Sequence, residues 1–526
     1  MRHKIRIKNE NIASLLQRCT VRNVLQVLVT IYVCLMMLAF PLHRYRYYCM
    51  GQMKYEFFIV CGMTFLPLIA IFMILALLKK GIKEYLRSQF SLTDWLVTGY
   101  AAVLIISYLL SGYKDTALWG VRDWHMGLIA QLMLVVIYFA VSRFFYYVDI
   151  MKYLLCLVAE IVFLVGVLNR FALDPLSMYL DYNAESAYLS TIGQPTWYSG
   201  YLCIILPVLV YLYWDAKTKR DRMIYTITLV TGMASLVTQN SDSAYVALIL
   251  MFMCLMTFSF RSNEYCGRFL EITVISLATF KVIGILQIVF RNRVFVNDKL
   301  SLFMTQGSVM TIVLIVAVML HIWFIKLTKN ADFNVSDYKK IPVICWGILG
   351  MAIAGAVILI VLVSNGWIPE SLYGLRDNNY LNFTNHWGDA RGINWRYTMK
   401  LYVEAPISVK IFGCGPDCYY PYMYDNYGDV MNAFWGTAIL CNAHNEWLNQ
   451  LITVGIAGAG VYIGIFIAQF REAVKQFSRN KSNVLIALVI ISYAGHQLFC
   501  YQQVVGTPTV FILLGFGAGL NRKNAS

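Results

Sequence analysis

Long apolar runs alternate with short polar strips along the whole chain. Fourteen runs approach or exceed the roughly 20 residues that a helix needs to cross a bilayer. They predict an all-α, polytopic membrane protein. The predicted spans are 23–41, 56–78, 93–111, 126–142, 153–170, 197–214, 223–239, 244–260, 270–290, 302–325, 341–364, 447–469, 484–500 and 504–520.

One long polar region, residues 365–446, interrupts this pattern after the eleventh run. We therefore divide the chain into a membrane domain with helices 1–11 (1–364), a large loop (365–446) and a membrane domain with helices 12–14 (447–526). With the N-terminus inside, the parity of the spans places the loop outside. It is rich in Tyr, Trp, Asn, Asp and Gly, as carbohydrate-facing surfaces are, and we expect it to be folded and to carry the function.

The charge follows the same alternation. The chain has 43 Lys and Arg against 28 Asp and Glu, a net charge of +15. Most of the basic residues fall in the strips that parity assigns to the cytoplasm, as the positive-inside rule requires. This distribution places both termini in the cytoplasm and indicates contact with anionic lipid, not nucleic acid.

The composition excludes an ordinary soluble protein, since 59% of 526 residues are hydrophobic and 13% are charged. The basic residues 1–20 precede an apolar run of full spanning length without a small-residue cleavage site, which indicates a retained segment.

The 13 cysteines form no C-x-x-C pair and no His/Cys cluster at zinc spacing. We therefore predict no metal site and no cofactor. Cys414, Cys418 and Cys441 lie in the external loop, where either a disulfide or free thiols are open.

A helix is predicted in the loop from Gly388 to Pro406, because proline disfavours helix at the residue before it. Arg391 and Trp395 then share a face, where a guanidinium can bind phosphate oxygens beside an aromatic plate for a sugar ring. We also assign Arg396 to substrate binding. The alternative is a surface Arg lying over a packed Trp.

A tight turn is predicted at Gly413-Cys414-Gly415-Pro416-Asp417. Its glycines indicate that the backbone comes close to another segment. It is too short for a nucleotide-binding fingerprint, so a structural role is favoured.

His444 and Asn445 lie where the loop re-enters the membrane. A neutral imidazole can accept a proton from a hydroxyl near neutral pH, so His444 is our candidate general base. The alternatives are an interfacial histidine held by a backbone carbonyl, and an Asn445 that only caps the next helix.

Small and polar residues within the spans predict contacts between helices. The predicted packing positions are Gly455, Gly458, Gly460 and Gly464. The polar residues expected to face the bundle interior are Glu160, Lys281, Gln287 and His496.

The spacing His444-Asn445, nine residues, then Gly455-x-x-Gly458 resembles the His-Asn-x9-Gly-x-x-Gly signature of the O-antigen ligase and polymerase superfamily. The segment from Gly388 to Asp417 resembles the family's Gly-x-x-Arg, Trp, Pro and Gly-x-Gly-Pro run. Earlier segments that follow the family's order are 116–120, 193–201 and 238–243.

This resemblance implies a GT-C-like, metal-independent, inverting glycosyltransferase on the outer face of the bacterial cytoplasmic membrane. Its donor would be a polyprenyl-diphosphate-linked oligosaccharide and its acceptor a sugar or glycolipid. Arg391 would bind the diphosphate, His444 would take the hydroxyl proton, and Asn445 and Trp395 would contact substrate. A flippase and chain-length or export proteins are the expected protein partners.

The sequence departs from the family at Ser241-Asp242-Ser243, where many ligases carry Ser-Arg. A second phosphate-binding arginine must then come from elsewhere, and we favour Arg122. The other externally placed candidates are Arg170, Arg291 and Arg293.

Several functions remain open on the sequence alone. A ligase and a polymerase differ only in the acceptor, which the signature does not specify. A solute or anion transporter would need polar groups at the bilayer midplane. A scaffold for polysaccharide export would leave the His-Asn signature without a purpose.

Overall fold

The computed structural model describes residues 21–44, 50–80, 90–178, 190–295, 297–330 and 332–523. Within these ranges the chain is helical and has no β-strand, which confirms the predicted all-α class. The predicted retained segment at residues 1–20 lies outside the described residues.

The helices follow the predicted runs closely. Eight are long and apolar enough to cross a membrane, and three more are apolar but shorter. Each predicted run overlaps at least one helix, while the count of fourteen spans stays a prediction. The helices are α1 (Val21–Leu42), α2 (Met50–Lys80), α3 (Leu92–Leu110), α4 (Lys114–Trp119), α5 (Leu128–Phe144), α6 (Ile150–Arg170), α7 (Pro195–Trp214), α8 (Lys219–Thr238), α9 (Ser243–Ser259), α10 (Asn263–Val289), α11 (Lys299–Gln306), α12 (Ser308–Leu327), α13 (Lys340–Ser364), α14 (Trp387–Glu404), α15 (Ile407–Phe412), α16 (Tyr419–Trp435), α17 (Glu446–Thr453), α18 (Gly455–Gln476), α19 (Asn483–His496) and α20 (Thr507–Lys523).

The predicted tenth span is broken into α11 and α12 at Gly307. Lys281 explains how the break is stabilised, because its ammonium donates to the carbonyls of Thr305 (3.1 Å) and Gly307 (2.7 Å). A cation at the end of a helix satisfies carbonyls that have no partner within that helix. Lys281 therefore faces another helix, as predicted for the intramembrane polar residues.

The predicted twelfth span is likewise two helices, α17 and α18, which meet at Gly455. Gly455 has φ +69°, and a Cβ there would lie 2.3 Å from the backbone of Ile411. The packing prediction is thus confirmed for Gly455. It is wrong for Gly460, whose Cβ position has no neighbouring atom within 4 Å.

Burial differs strongly between the helices. The most apolar window of α7 is 89% buried, whereas those of α12 and α13 are 11% and 6% buried. The centre of the bundle is therefore at α7, and α12 and α13 present apolar side chains outward, as helices in contact with lipid do.

One end of the bundle is held by a buried ion-pair cluster. Asp94 at the start of α3 pairs with Arg143 at the end of α5 (3.1 Å) and with Arg522 at the end of α20. These three helix ends therefore lie on one side, as the alternation of strips predicts.

The loop 365–446 forms α14, α15 and α16 and builds an apolar cluster separate from the main core. Its members include Ile393, Leu401, Tyr419, Met423 and Met431. The expectation of a folded loop is thus met, while the exact domain boundaries stay a prediction.

Candidate functional site

The start of α14 has an unusual backbone. Gly388, Asp389 and Ala390 all adopt left-handed conformations, with φ of 56°, 61° and 62°. Only glycine adopts this region without cost, so Asp389 and Ala390 store strain of a kind often found at functional sites. Regular helix begins at Arg391 and continues to Glu404, two residues before Pro406, as the sequence predicted.

Arg391 is half-buried at this first helical position. Its Nη1 donates to the carbonyl of Gly388 at 2.5 Å, and its Nε donates to the carbonyl of Phe499 at 3.2 Å. The strained turn and a distant segment thus fix the guanidinium. Nη2 has no partner among the described residues and is free for an anion.

Trp395 lies one turn after Arg391, and both side chains reach Phe499. The Trp395 ring stacks near the Phe499 ring at 6.0 Å and contacts Trp387 at 5.2 Å. Its indole Nε1 is buried without a hydrogen-bond partner. The predicted shared face is therefore present, although packing already occupies much of the Trp395 ring.

The turn at 413–417 packs directly against the end of α17. Cys414 and Gly415 donate their backbone N–H groups to the carbonyls of Ile452 and Thr453, both at 3.0 Å. Gly413 has φ +80°, and a Cβ there would lie 2.2 Å from the Thr453 oxygen. The close backbone approach that the glycines predicted is thus observed.

Asp417 extends this contact to the loop 120–127. One carboxylate oxygen, Oδ2, accepts the backbone N–H groups of Val121 (2.8 Å) and Met126 (3.0 Å). Burial raises the pKa of Asp417 to about 7, although these two hydrogen bonds favour the charged form. The carboxyl therefore joins the first external loop to the turn before α16.

The backbone around His444 is held by three asparagines. The N–H of His444 donates to Asn442 (3.0 Å), and that of Ala443 donates to Asn449 (3.2 Å). Asn445 caps α17 by accepting from the Leu448 N–H at 3.1 Å. His444 itself has φ +49°, a region that histidine tolerates better than most residues.

The His444 ring is half-buried and lies edge-on to Tyr501, with centroids 5.2 Å apart. Neither ring nitrogen makes a hydrogen bond to a described residue. Burial, and then the positive charge of Arg391, lower the pKa of His444 to about 3. The imidazole is therefore neutral, and the structure places it beside Arg391.

The segment 497–506, between α19 and α20, completes this region and was missed by sequence reasoning. It is non-helical but buried, with Tyr501 2% and Gln502 5% exposed. Phe499 supplies the carbonyl that Arg391 binds, and Tyr501 contacts both His444 and Trp124. The pair Gln502-Gln503 in the last external connection was the available signal.

The segment Ser241-Asp242-Ser243, where the sequence departs from the family pattern, places one acidic group near Arg391. Partial burial and the Asp298 carboxylate raise the pKa of Asp242, while Arg391 opposes this rise. An acid therefore lies beside Arg391 where many ligases carry an arginine.

The other predicted arginines lie elsewhere. Arg122 is exposed, and in the loop 120–127 it is Trp124 that contacts Tyr501. Arg396 is also exposed and donates to Asn385 (2.9 Å) and to the carbonyl of Phe383 (3.3 Å). Their substrate-binding roles stay predictions.

The remaining candidates for a second phosphate-binding arginine differ in exposure. Arg170 is fully buried and donates from Nε to the Thr238 carbonyl at 2.6 Å, whereas Arg291 and Arg293 are exposed.

The described residues answer the two questions left by the sequence about disulfides and metal ligands. Cys414, Cys418 and Cys441 are free thiols. Among the same residues, no group of three His, Cys, Asp or Glu side chains is placed to hold a metal ion.

Comparison with known proteins adds one finding. Residues 294–463 match a family model described as O-antigen ligase. The matched range includes Arg391, Trp395, His444, Asn445 and three of the four glycines of α18, namely Gly455, Gly458 and Gly460. No curated protein matches the chain in a sequence search.

Proposed function

We propose that this chain is a member of the O-antigen ligase and polymerase superfamily that transfers a polyprenyl-diphosphate-linked glycan to a sugar hydroxyl on the outer face of the bacterial cytoplasmic membrane. The family match supports a membrane glycosyltransferase broadly. The donor, the acceptor, the side of the membrane and the residue roles are parts of the proposal.

The observation that carries the proposal is the pairing of His444 with Arg391. A neutral imidazole with unoccupied nitrogens lies beside a guanidinium that two carbonyls hold in place. A base for a hydroxyl and a cation for a leaving diphosphate are the two groups that this transfer requires.

In the proposed reaction the acceptor oxygen forms a bond to the anomeric carbon as the bond from that carbon to the phosphate oxygen breaks. The electron pair leaves with the polyprenyl diphosphate, whose charge Arg391 stabilises. The hydroxyl proton goes to His444. A single displacement of this kind inverts the anomeric configuration and uses no metal ion.

The low pKa of His444 fits a base that donor binding activates. Part of the lowering comes from the charge of Arg391. A bound diphosphate neutralises that charge, so it raises the basicity of His444 only when donor is present.

The test is incubation of purified protein with a lipid-linked oligosaccharide from its host, in chelator, followed by electrophoresis of the glycans. We expect His444→Ala to lower turnover by about 10²- to 10⁴-fold, as the loss of a general base does. His386→Ala, which removes an exposed histidine of the same loop, is the matched control.

The products decide the finer points. A ladder indicates a polymerase, and a single shifted product that needs a separate acceptor indicates a ligase. Full activity of both His444→Ala and Arg391→Ala in folded protein would contradict the proposed mechanism. Both cytoplasmic termini, and a flippase or export proteins as partners, remain part of the proposal for topology and labelling experiments to test.

A further inference from the structure

Glu446 lies two residues after His444, and the proposed mechanism does not use it. Its side chain is fully buried. The carboxylate accepts the backbone N–H of Gln502 at 2.5 Å and the Nε2 of Gln450 at 2.7 Å. Its own backbone N–H donates to the Gln497 carbonyl at 3.0 Å. One residue thus joins the start of α17 to two points of the segment 497–506.

These contacts belong to a ring of five polar residues, here called the polar ring, which closes through the backbone N–H of Gln502. From Gln450 the ring continues to the hydroxyl of Tyr100, which lies 3.3 Å from Gln450 Oε1 and 3.3 Å from Gln131 Oε1. Gln131 Nε2 then donates to Gln502 Oε1, which returns the ring to Glu446 through Gln502. Its five members come from α3, α5, α17 and the segment 497–506.

The polar ring adjoins the candidate site. Four of its members line a small cavity, which is also lined by Asn442, Trp124 and Tyr501. These three residues contact His444, its backbone or each other. A shift of a ring residue therefore has to pass through only one further residue to reach the surroundings of His444.

We propose that Glu446 is a positioning residue that holds the segment 497–506 in register with the two candidate catalytic residues. The bond from Glu446 fixes Gln502, whose neighbour Tyr501 lies against the His444 ring. Two residues before Tyr501, the Phe499 carbonyl receives Arg391. The relative placement of His444 and Arg391 thus depends on one buried carboxyl. This inference rests on the proposed function.

The chemistry of the ring makes glutamine a conservative replacement. Burial raises the pKa of Glu446 to about 8, so the neutral carboxyl is well populated near pH 7. A glutamine retains an oxygen for the Gln502 N–H and an amide for Gln450 once that amide rotates. Leucine has a similar volume but leaves both donors unsatisfied.

The experiment compares Glu446→Leu and Glu446→Gln in the full-length protein, with donor affinity measured by direct binding and by KM. We expect Glu446→Leu to lower Tm, because two buried donors lose their acceptor, and to weaken donor binding by about tenfold or more in the protein that remains folded. Glu446→Gln should remain within about threefold of the natural protein. A purely structural role would reduce the folded fraction and leave donor KM unchanged.

A second variant covers failure of Glu446→Leu to fold. Gln131→Met breaks the ring on α5 without changing a residue of α17, and we expect a smaller change in donor affinity in the same direction. The inference is overturned if the folded variants bind donor as tightly as the natural protein does. It is also overturned if Glu446→Gln is as impaired as Glu446→Leu. An inactive natural protein that still binds donor contradicts the proposed transfer instead, because the binding comparison among variants can still be made.

Discussion

Helices α7 and α13 are both apolar and long enough to cross a membrane, but they differ in what surrounds them. The α7 window is 89% buried with a mean hydropathy of 1.4, while the α13 window is 6% buried with a mean hydropathy of 2.6. The buried helix is the less apolar one because its polar groups find partners, as Ser199 does with His496 at 2.8 Å. High hydropathy here marks contact with lipid, and moderate hydropathy marks the interior that supports the site.

The same contrast extends to whole regions. The site-facing region comprises the turn 413–418, α17 and the segment 497–506, and it contains left-handed residues and backbone contacts between distant segments. The lipid-facing region comprises α12 and α13, where regular helix carries outward side chains. We expect single changes to act strongly in the first region and weakly in the second.

Glycine substitutions give the largest contrast. A Cβ at Gly413 would lie 2.2 Å from the Thr453 carbonyl oxygen, and the φ of +80° at this position disfavours any residue but glycine. A Cβ at Gly350 on α13 has no neighbouring atom within 4 Å. We expect Gly413→Ala to destabilise the protein by about 2–4 kcal/mol and to abolish transfer. Gly350→Ala should leave thermal unfolding and activity unchanged. Equal unfolding curves for the two variants would remove the distinction between the regions.

Arginine substitutions test the site itself. Arg391→Ala removes the cation proposed for the diphosphate, and charge-assisted hydrogen bonds are worth about 1.5–3 kcal/mol. We expect kcat/KM for the donor to fall by about 100-fold. Arg376→Ala is the control, because Arg376 is exposed in the 3-10 helix Glu370–Asp377 that follows α13. Similar losses in both variants would point to the net charge of the loop instead.

The sequence predicts the regular parts of this molecule well, since helices are marked by apolar runs and the site by a local motif. Arg391 and His444 could be proposed because each lies in a short segment with distinctive neighbours, and their catalytic roles stay predictions. The shared face of Arg391 and Trp395 follows from helical spacing alone, and the structure retains it.

The parts that the sequence did not predict depend on backbone geometry. The run 484–500 reads as one helix, but the structure ends α19 at His496, and the Phe499 carbonyl accepts a hydrogen bond from Arg391. Hydropathy does not distinguish a helix from a buried connection. In the loop 120–127 the predicted topology favoured Arg122, but Trp124 is the residue that contacts Tyr501. The hydrogen bonds that Asp417 accepts from Val121 and Met126 fix the loop backbone and so decide which side chain points inward.

Asp417 gives a pH-dependent test of the site-facing region. Its pKa in the folded protein is about 7, above the ordinary value of 3.8, so the folded state binds the proton more tightly than the unfolded state. Its contribution to stability is therefore greatest below about pH 4 and is lost as pH rises to about 7. We expect the Tm of the natural protein to fall by about 2 °C from pH 5 to pH 8 because of this group. Asp417→Asn should remove that part of the pH dependence. Parallel Tm curves for the two proteins would contradict the assignment.

Asp242 should give the smallest effect, and it bears on the departure from the family pattern. Its carboxylate lies near Arg391 and competes with the donor diphosphate for the same positive charge. Asp242→Asn should lower donor KM by about threefold near pH 7.5, the range of a partly exposed ion pair. Because the pKa of Asp242 is raised, mild acid neutralises the natural carboxylate as well. The advantage of the variant should therefore shrink as pH falls. A difference in KM that does not change with pH would contradict this prediction, because it would mean that the Asp242 charge does not act on Arg391. Asp242 would then stand in place of the family's arginine without opposing donor binding.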